Sequence, residues 1–392
     1  MDHQLFMYVS QWALHGGAPG LSLYSFDTET GAIKKLRQID DSHSFGCSLV
    51  DEKRMVLYVC NECDLFPEMP MNSGRVYCYR IDPSSGDLTE LNHKETYCPF
   101  ASYVNMDPTG QYLMVSNHSW DSFTTTVVKD ADGTIRSVMK PNDSLVNLFE
   151  INEDGSIGQM VDVRNHGASG DFRISLLGRP QIPHPHCVMR SPSGKLYAVC
   201  DKGDGHIYLY TIEGEKLKLV NKTLTDTPQS EPRYCVFHPT KPYLYVNHEH
   251  TPGDRLTLTT FRYDEAGMLE EVGKLYADVS GHEPKEAPRQ QQGMCISPDG
   301  RFVYTQAHGY NLLLVLAVDE QTGALRQIQA VPISGVWPRA VTMSPDGRFL
   351  INCCLGGQIT VYTVAPDGTL TDTGHHSQLQ GSGYVSFLNP MH

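Results

Sequence analysis

Apolar residues along this chain come in short bursts rather than in long stretches or helical stripes. Runs such as Leu57-Tyr58-Val59, Leu113-Met114-Val115 and Tyr243-Leu244-Tyr245-Val246 are β-branched, aromatic or straight-chain apolar, and turn residues lie close on either side. They suit a pleated, buried surface and are too short for helices. No long amphipathic helix pattern interrupts them.

Two kinds of turn punctuate the bursts. In the first, an apolar residue is followed by turn residues, a glycine and an alternating strand. It occurs seven times, at Phe26-Asp27…Gly31, Ile81-Asp82…Gly86, Ile151-Asn152…Gly155, Ile212-Glu213-Gly214, Tyr263-Asp264…Gly267, Val318-Asp319…Gly323 and Val364…Asp367-Gly368. Glycine supplies the positive φ of such hairpins, and Asp or Asn bonds back to the turn backbone. The second leads directly into a strongly apolar strand, as at Asp107-Pro108-Thr109-Gly110, Ser191-Pro192-Ser193-Gly194, His238-Pro239-Thr240-Lys241, Ser297-Pro298-Asp299-Gly300 and Ser344-Pro345-Asp346-Gly347, with a reduced copy at Asp51-Glu52-Lys53.

Seven hairpins against six of these turns leave one unit incomplete. Phe6-Met7-Tyr8-Val9 reads as the second strand of a unit, and Tyr384-Val385-Ser386-Phe387 can supply its first. A sheet completed by both ends of the chain closes a ring and removes free edges. The pattern therefore predicts an all-β, seven-bladed β-propeller, a single domain over residues 1–392 with a closing blade shared by the N- and C-termini. Two separate β-sandwiches would not produce this repeat. Long inserts are expected at Ser119–Leu148 and Val161–Ile182, both between second and third strand copies, where they could cover one face.

Composition narrows the function. With a formal net charge of −14, the chain offers no basic footprint for nucleic acid or an anionic membrane. The first residues carry no basic start and apolar run of a signal peptide, and no stretch of about 18 apolar residues occurs, so a cytoplasmic protein is expected. Eleven cysteines, an odd number scattered along apolar strands, read as core residues. Cys60 and Cys63 have the spacing of half a zinc site, but no second pair follows, and no metal or cofactor is expected.

In a rotational repeat, equivalent sequence positions occupy equivalent places around the axis. Six residues before each turn proline stand Ser102, His186, Arg233, Gln292 and Arg339; at the end of each following strand stand Glu62, His118, Lys202, Glu249 and His308. Channel linings are polar because they hold water, yet this set combines Arg, His and Glu. Arg offers planar bidentate donors to carboxylate or phosphate, His titrates near neutrality, and Glu serves as base or holds the His. Such groups suit acid–base chemistry on a small anionic substrate. A metal-dependent alternative would draw on His184, His186, His248, Glu249 and His250, but strand alternation points His248 and His250 opposite to Glu249. His375-His376 read as solvated loop residues, and Trp12, Trp120 and Trp337 as packing groups.

The units HPHCVMRSPSGKLYAVCDKG, EPRYCVFHPTKPYLYVNHE and RQQQGMCISPDGRFVYTQAH resemble the lactonase family of seven-bladed propellers, which includes 6-phosphogluconolactonases and 3-carboxy-cis,cis-muconate cyclases. The resemblance covers nearly the whole chain, most clearly from Pro183 to Phe349. It implies catalytic roles for His186, Glu249 and Arg233 and a second arginine at Arg289; Arg339, Lys202, His308, His118 and Gln292 join them as substrate-binding candidates from the repeat positions. The chain departs from the family at Tyr234, where His is frequent, and at His248, where Asn is frequent. The implied activity is a metal-independent hydrolase of an anionic sugar lactone, in carbohydrate metabolism. A cycloisomerase or lyase acting on a carboxylated small molecule uses the same groups, and a non-catalytic interaction scaffold uses the same fold.

Overall fold

The structure is a computed structural model that describes residues 3–62, 73–119, 121–167, 173–176, 178, 180–227, 229–253 and 255–388. Cys63 and Trp120 lie outside the described residues. Seven four-stranded antiparallel sheets succeed one another around an axis. Numbered by their innermost strands, they are blade 1 (Phe45–Asp51), blade 2 (Ala101–Met106), blade 3 (Pro185–Arg190), blade 4 (Pro232–Phe237), blade 5 (Gln290–Ile296), blade 6 (Pro338–Met343) and blade 7 (Ser382–Leu388). Each innermost strand touches its two neighbours, which closes the ring.

Blade 7 is the expected joint. Its innermost strand comes from the C-terminal end and pairs antiparallel with Gln4–Gln11, matching Val9 to Val385 and Phe6 to Leu388. Gln4–Gln11 in turn pairs with Gly20–Asp27, so the ends of the described chain are held by a full ladder.

The recurrent hairpin glycine has a packing reason as well as a conformational one. Gly155 has φ of 87°, and a Cβ there would come within 2.7 Å of Val56 in the preceding blade. The buried Tyr58 of that blade donates its hydroxyl to the Gly155 carbonyl at 2.7 Å, and Tyr8 and Tyr304 do the same to Gly86 and Gly368. Each of these bonds ties the second strand of one blade to the outer hairpin of the next.

The two inserts are shorter than the sequence pattern implied. Leu145–Ile151 is already the third strand of blade 2, and Ile157–Asn165 is its fourth. The first insert contains a separate hairpin, Phe123–Lys129 with Ile135–Pro141, exposed along most of both strands. The second falls between blades 2 and 3 and carries the short pair Arg173–Ile174 with Pro180–Gln181. Among the described residues no helix is long and apolar enough to cross a membrane.

Candidate active site at the channel mouth

All seven innermost strands carry an irregularity at the same place. In blades 2, 3, 4, 6 and 7 one residue, respectively Ser102, His186, Arg233, Arg339 and Gly383, is left without a partner in the ladder. In blades 1 and 5 the extra residue falls within Gly46-Cys47 and Gln292-Gly293. A β-bulge of this kind bends the strand and re-aims one side chain. Its repetition turns the polar ring legible in the sequence towards a common cavity.

The second ring comes from residues that end the second strands. There the backbone N–H groups of Glu62, His118, Lys202 and Glu249 donate to the carbonyls of Ser44, Phe100, His184 and Glu231, which fixes each residue beside its blade's bulge. The two rings frame a cavity of about 840 Å³. His186, Arg233, Glu249, Lys202, His118, Gln292 and Arg339 all line it. Arg289 and His308 are not among its lining residues: the Arg289 guanidinium lies 5.8 Å from the Tyr310 ring centre, and His308 is buried behind Trp337, 4.4 Å between ring centres.

One wall is a buried charge cluster. Glu249 Oε1 accepts from Lys202 Nζ at 2.9 Å and from Gln290 Nε2 at 3.2 Å, and Oε2 accepts from Arg233 Nη1. Burial alone would raise this carboxyl's pKa, but Arg233 and Lys202 outweigh it and hold Glu249 well below the usual carboxylate range. The Nε and Nη2 of Arg233 are buried and make no hydrogen bond among the described residues. Lys202 is presented by a turn clamped from beneath. Asp201 Oδ1 accepts from the backbone N–H groups of His184, Gly203 and Asp204, while Oδ2 meets His166 Nδ1 at 2.7 Å.

The adjoining wall is imidazole. His186 is buried, packs edge-on against Tyr234 at 5.0 Å and His118 at 5.7 Å, and its Nδ1 has no hydrogen-bond partner among the described residues. Burial, reinforced by the positive charge of Arg233, pushes its pKa well below the ordinary histidine value, so the ring is neutral at neutral pH. His118 stacks on His184 at 4.3 Å and is likewise shifted down by burial and by His184. Both nitrogens of His184 face oxygen acceptors, the His118 carbonyl and Asp121 Oδ1.

Opposite stands a second buried carboxyl group, Glu62. Glu62 accepts from Arg339 Nη2 at 3.2 and 3.3 Å and from Ser102 Oγ at 3.3 Å. Arg339 lies over the Trp12 ring, 4.2 Å from guanidinium carbon to ring centre. Burial pushes the Glu62 carboxyl up, against the opposing pull of Arg339 and Arg233. Trp12 and Trp337, expected as packing groups, both line the cavity, and His15 stacks on Trp337 at 4.3 Å. Trp12 follows the second strand of blade 7, the place Glu62 takes in blade 1; registering that strand with the other six would have found it. His186, Glu62, Arg339 and Trp12 also border a chamber of about 10 Å³, close to the least volume that admits one water molecule.

The alternation argument fails for His250. It lies beyond the strand end, and its ring, Glu249 and Glu231 bring ligand atoms within 4.8 Å of one another. Glu249 is already neutralised by two cations and Gln290 bonds the His250 ring at 2.9 Å, so the trio is poorly suited to a divalent ion. His248 does point away: its Nδ1 bonds the Thr257 carbonyl at 3.0 Å inside the blade. A second trio, Cys187, Cys200 and Cys235, is fully buried core.

Residues 7–387 match the family described as Lactonase, 7-bladed beta-propeller. The chain is 25% identical over 345 residues to the 6-phosphogluconolactonase of Bacillus subtilis, covering 86% of this chain and 84% of that protein. It is 22% identical over 351 residues to the 6-phosphogluconolactonase of Formosa agariphila, covering 88% of each. The structure of the periplasmic gluconolactonase of Pseudomonas aeruginosa superposes with a TM-score of 0.79 at 22% identity, over 98% of this chain and 99% of that one.

Proposed function

The chain belongs to the lactonase family of seven-bladed β-propellers, and from that premise we propose that it is a metal-independent lactone hydrolase acting on an anionic sugar lactone of the 6-phosphogluconolactone kind. The observation that carries this reading is Arg233. Arg233 lines the cavity beside the neutral His186, and two of its N–H-bearing nitrogens are buried without a hydrogen-bond partner among the described residues. A buried cationic donor left unmatched by the protein is suited to an oxygen that becomes negative during the reaction.

In this reading His186 takes a proton from the water that attacks the lactone carbonyl, and Arg233 Nε and Nη2 receive the tetrahedral oxyanion. Glu249 stays ionised and orients Arg233 through Nη1. Lys202, Gln292 and Arg339 serve the phosphate and hydroxyl groups, and the Trp12 and Trp337 faces give a sugar ring apolar contact. A positioned base contributes about 10²- to 10⁴-fold, and removing one oxyanion donor costs about 10²- to 10³-fold.

The test is a panel of phosphorylated and neutral δ- and γ-lactones followed by pH-stat, with His186→Ala and Arg233→Met beside the parent protein. The reading expects phosphorylated δ-lactones to be preferred and both variants to lose at least about 10²-fold in kcat. Activity on none of the lactones, or full activity in both folded variants, would refute it.

A further inference from the structure

Hydrolysis needs a second proton transfer, to the oxygen that leaves, and the roles above do not assign it. When the tetrahedral intermediate collapses, the ring oxygen leaves as an alkoxide, a poor leaving group unless it is protonated as the bond breaks. Building on the hydrolase reading, we propose that Glu62 is this proton donor, placed across the channel from Glu249.

Placement comes first. Glu62 and Glu249 hold equivalent positions, just after the second strands of blades 1 and 4, which are as far apart as a ring of seven permits. A substrate between them would therefore meet a carboxyl group from each side. Room for Glu62 is built into the ring. Blade 1 has Gly46 at its bulge where blades 2, 3, 4 and 6 carry Ser102, His186, Arg233 and Arg339, and a Cβ on Gly46 would come within 2.7 Å of Glu62 Oε2.

Environment separates the two carboxyls. Glu249 is neutralised by Arg233 and Lys202, whereas Glu62 contacts Arg339 and the Ser102 hydroxyl and feels Arg233 at longer range. Burial raises the pKa of Glu62 while the paired cations lower that of Glu249. Environments that push two carboxyls apart mark one as the acid and leave the other ionised.

The step balances. His186 removes a proton as the water oxygen bonds the carbonyl carbon. The bond from that carbon to the ring oxygen then breaks, its electron pair leaves with the oxygen, and the Glu62 proton completes the hydroxyl. The proton on His186 returns to Glu62 through one water; both residues border the chamber of about 10 Å³ beneath the cavity. The net reaction is lactone plus water to hydroxy acid.

The experiment compares two lactones in the full chain. 6-Phosphogluconolactone expels an alkoxide and needs the acid; dihydrocoumarin expels a phenolate and needs little help. Glu62→Gln is expected to lower kcat by about 10²- to 10⁴-fold on the first and by under about 10-fold on the second, and to abolish the alkaline fall of the pH profile on the first. Glu62→Asp restores part of that rate with the alkaline limb displaced. Activity on dihydrocoumarin certifies that the variant is folded. An equal loss on both lactones, an unchanged rate on 6-phosphogluconolactone, or an alkaline limb that survives in Glu62→Gln overturns the assignment while leaving the hydrolase reading intact. A parent protein inactive on both lactones removes that reading and the acid with it.

Discussion

Glu249→Gln isolates what the buried charge cluster contributes. The substitution keeps the shape and removes the negative charge, leaving Arg233 and Lys202 side by side with side chains only 4% and 12% exposed. Breaking a buried pair from one side costs about 3–5 kcal/mol, because the desolvated partner stays behind uncompensated. Unfolding entropy of about 2.1 cal/mol/K per residue gives roughly 0.8 kcal/mol/K for a chain of 392 residues. The melting temperature at pH 7 should therefore fall by about 4–6 °C. The lowered pKa of Glu249 fixes the pH window. Its contribution is complete above the ordinary carboxylate value and disappears only as pH falls through the lowered native value, so the gap between parent and variant should persist at pH 5. Replacing all three groups by Met removes charge and partner together and should recover most of the lost stability without restoring activity. Calorimetry of parent, single and triple variants at pH 7 and pH 5 measures this. A single variant melting within about 1 °C of the parent at pH 7 would refute the view that the cluster is ionised and mutually dependent.

Gly46→Ala should cost under about 1 kcal/mol, since the atom it meets ends a flexible side chain, but should displace Glu62 and lower kcat; Gly383→Ala, whose Cβ would meet nothing closer than 3.5 Å, should change neither. Calorimetry and turnover on the same preparations check both. His248 is buried with its pKa lowered to about 4, so the stability of its neutral form is fully present above about 6.5 and lost towards pH 4, by roughly 3 kcal/mol; urea titrations of parent and His248→Gln between those pH values should show a shallower decline in the variant. Replacing residues 123–141 by a short Gly-Ser link should leave the melting temperature within about 2 °C, because both strands of that hairpin are largely exposed. Removing residues 382–392 takes away the inner strand of blade 7 and should abolish cooperative unfolding by calorimetry.

The architecture was legible because each blade repeats its punctuation. Gly155 must have positive φ and must also leave space for Val56, so the glycine recurs however far the surrounding residues diverge. The expected inserts overrun only at one edge, into Leu145–Ile151 and Ile157–Asn165: the hairpin at 123–141 separates Tyr112–Asn117 from its ladder partner Leu145–Ile151, and local pattern does not record a partner so far along the chain. Most of the cavity was legible for the same reason as the fold, since registering the turns also registers the rings. What escaped depends on where chains leave their strands. His250 follows a strand end, where alternation no longer applies. Arg289 precedes its strand and lies towards Tyr310 rather than lining the cavity. The division of two arginines between two buried glutamates, Arg233 to Glu249 and Arg339 to Glu62, joins residues 16 and 277 positions apart, and only the closed ring brings the second pair together.

The repeated bulge separates the protein's chemistry from its scaffold. A residue that pairs with nothing in its ladder can be exchanged without breaking a rung, so the seven positions act as interchangeable tool mounts on one chassis. Two of them, Gly46 and Gly383, hold no side chain. A library that varies these seven residues together with Glu249 and Glu62, the buried partners of Arg233 and Arg339, would search reaction types without breaking a rung of any ladder, and relatives with different substrates should differ there before they differ in their strands.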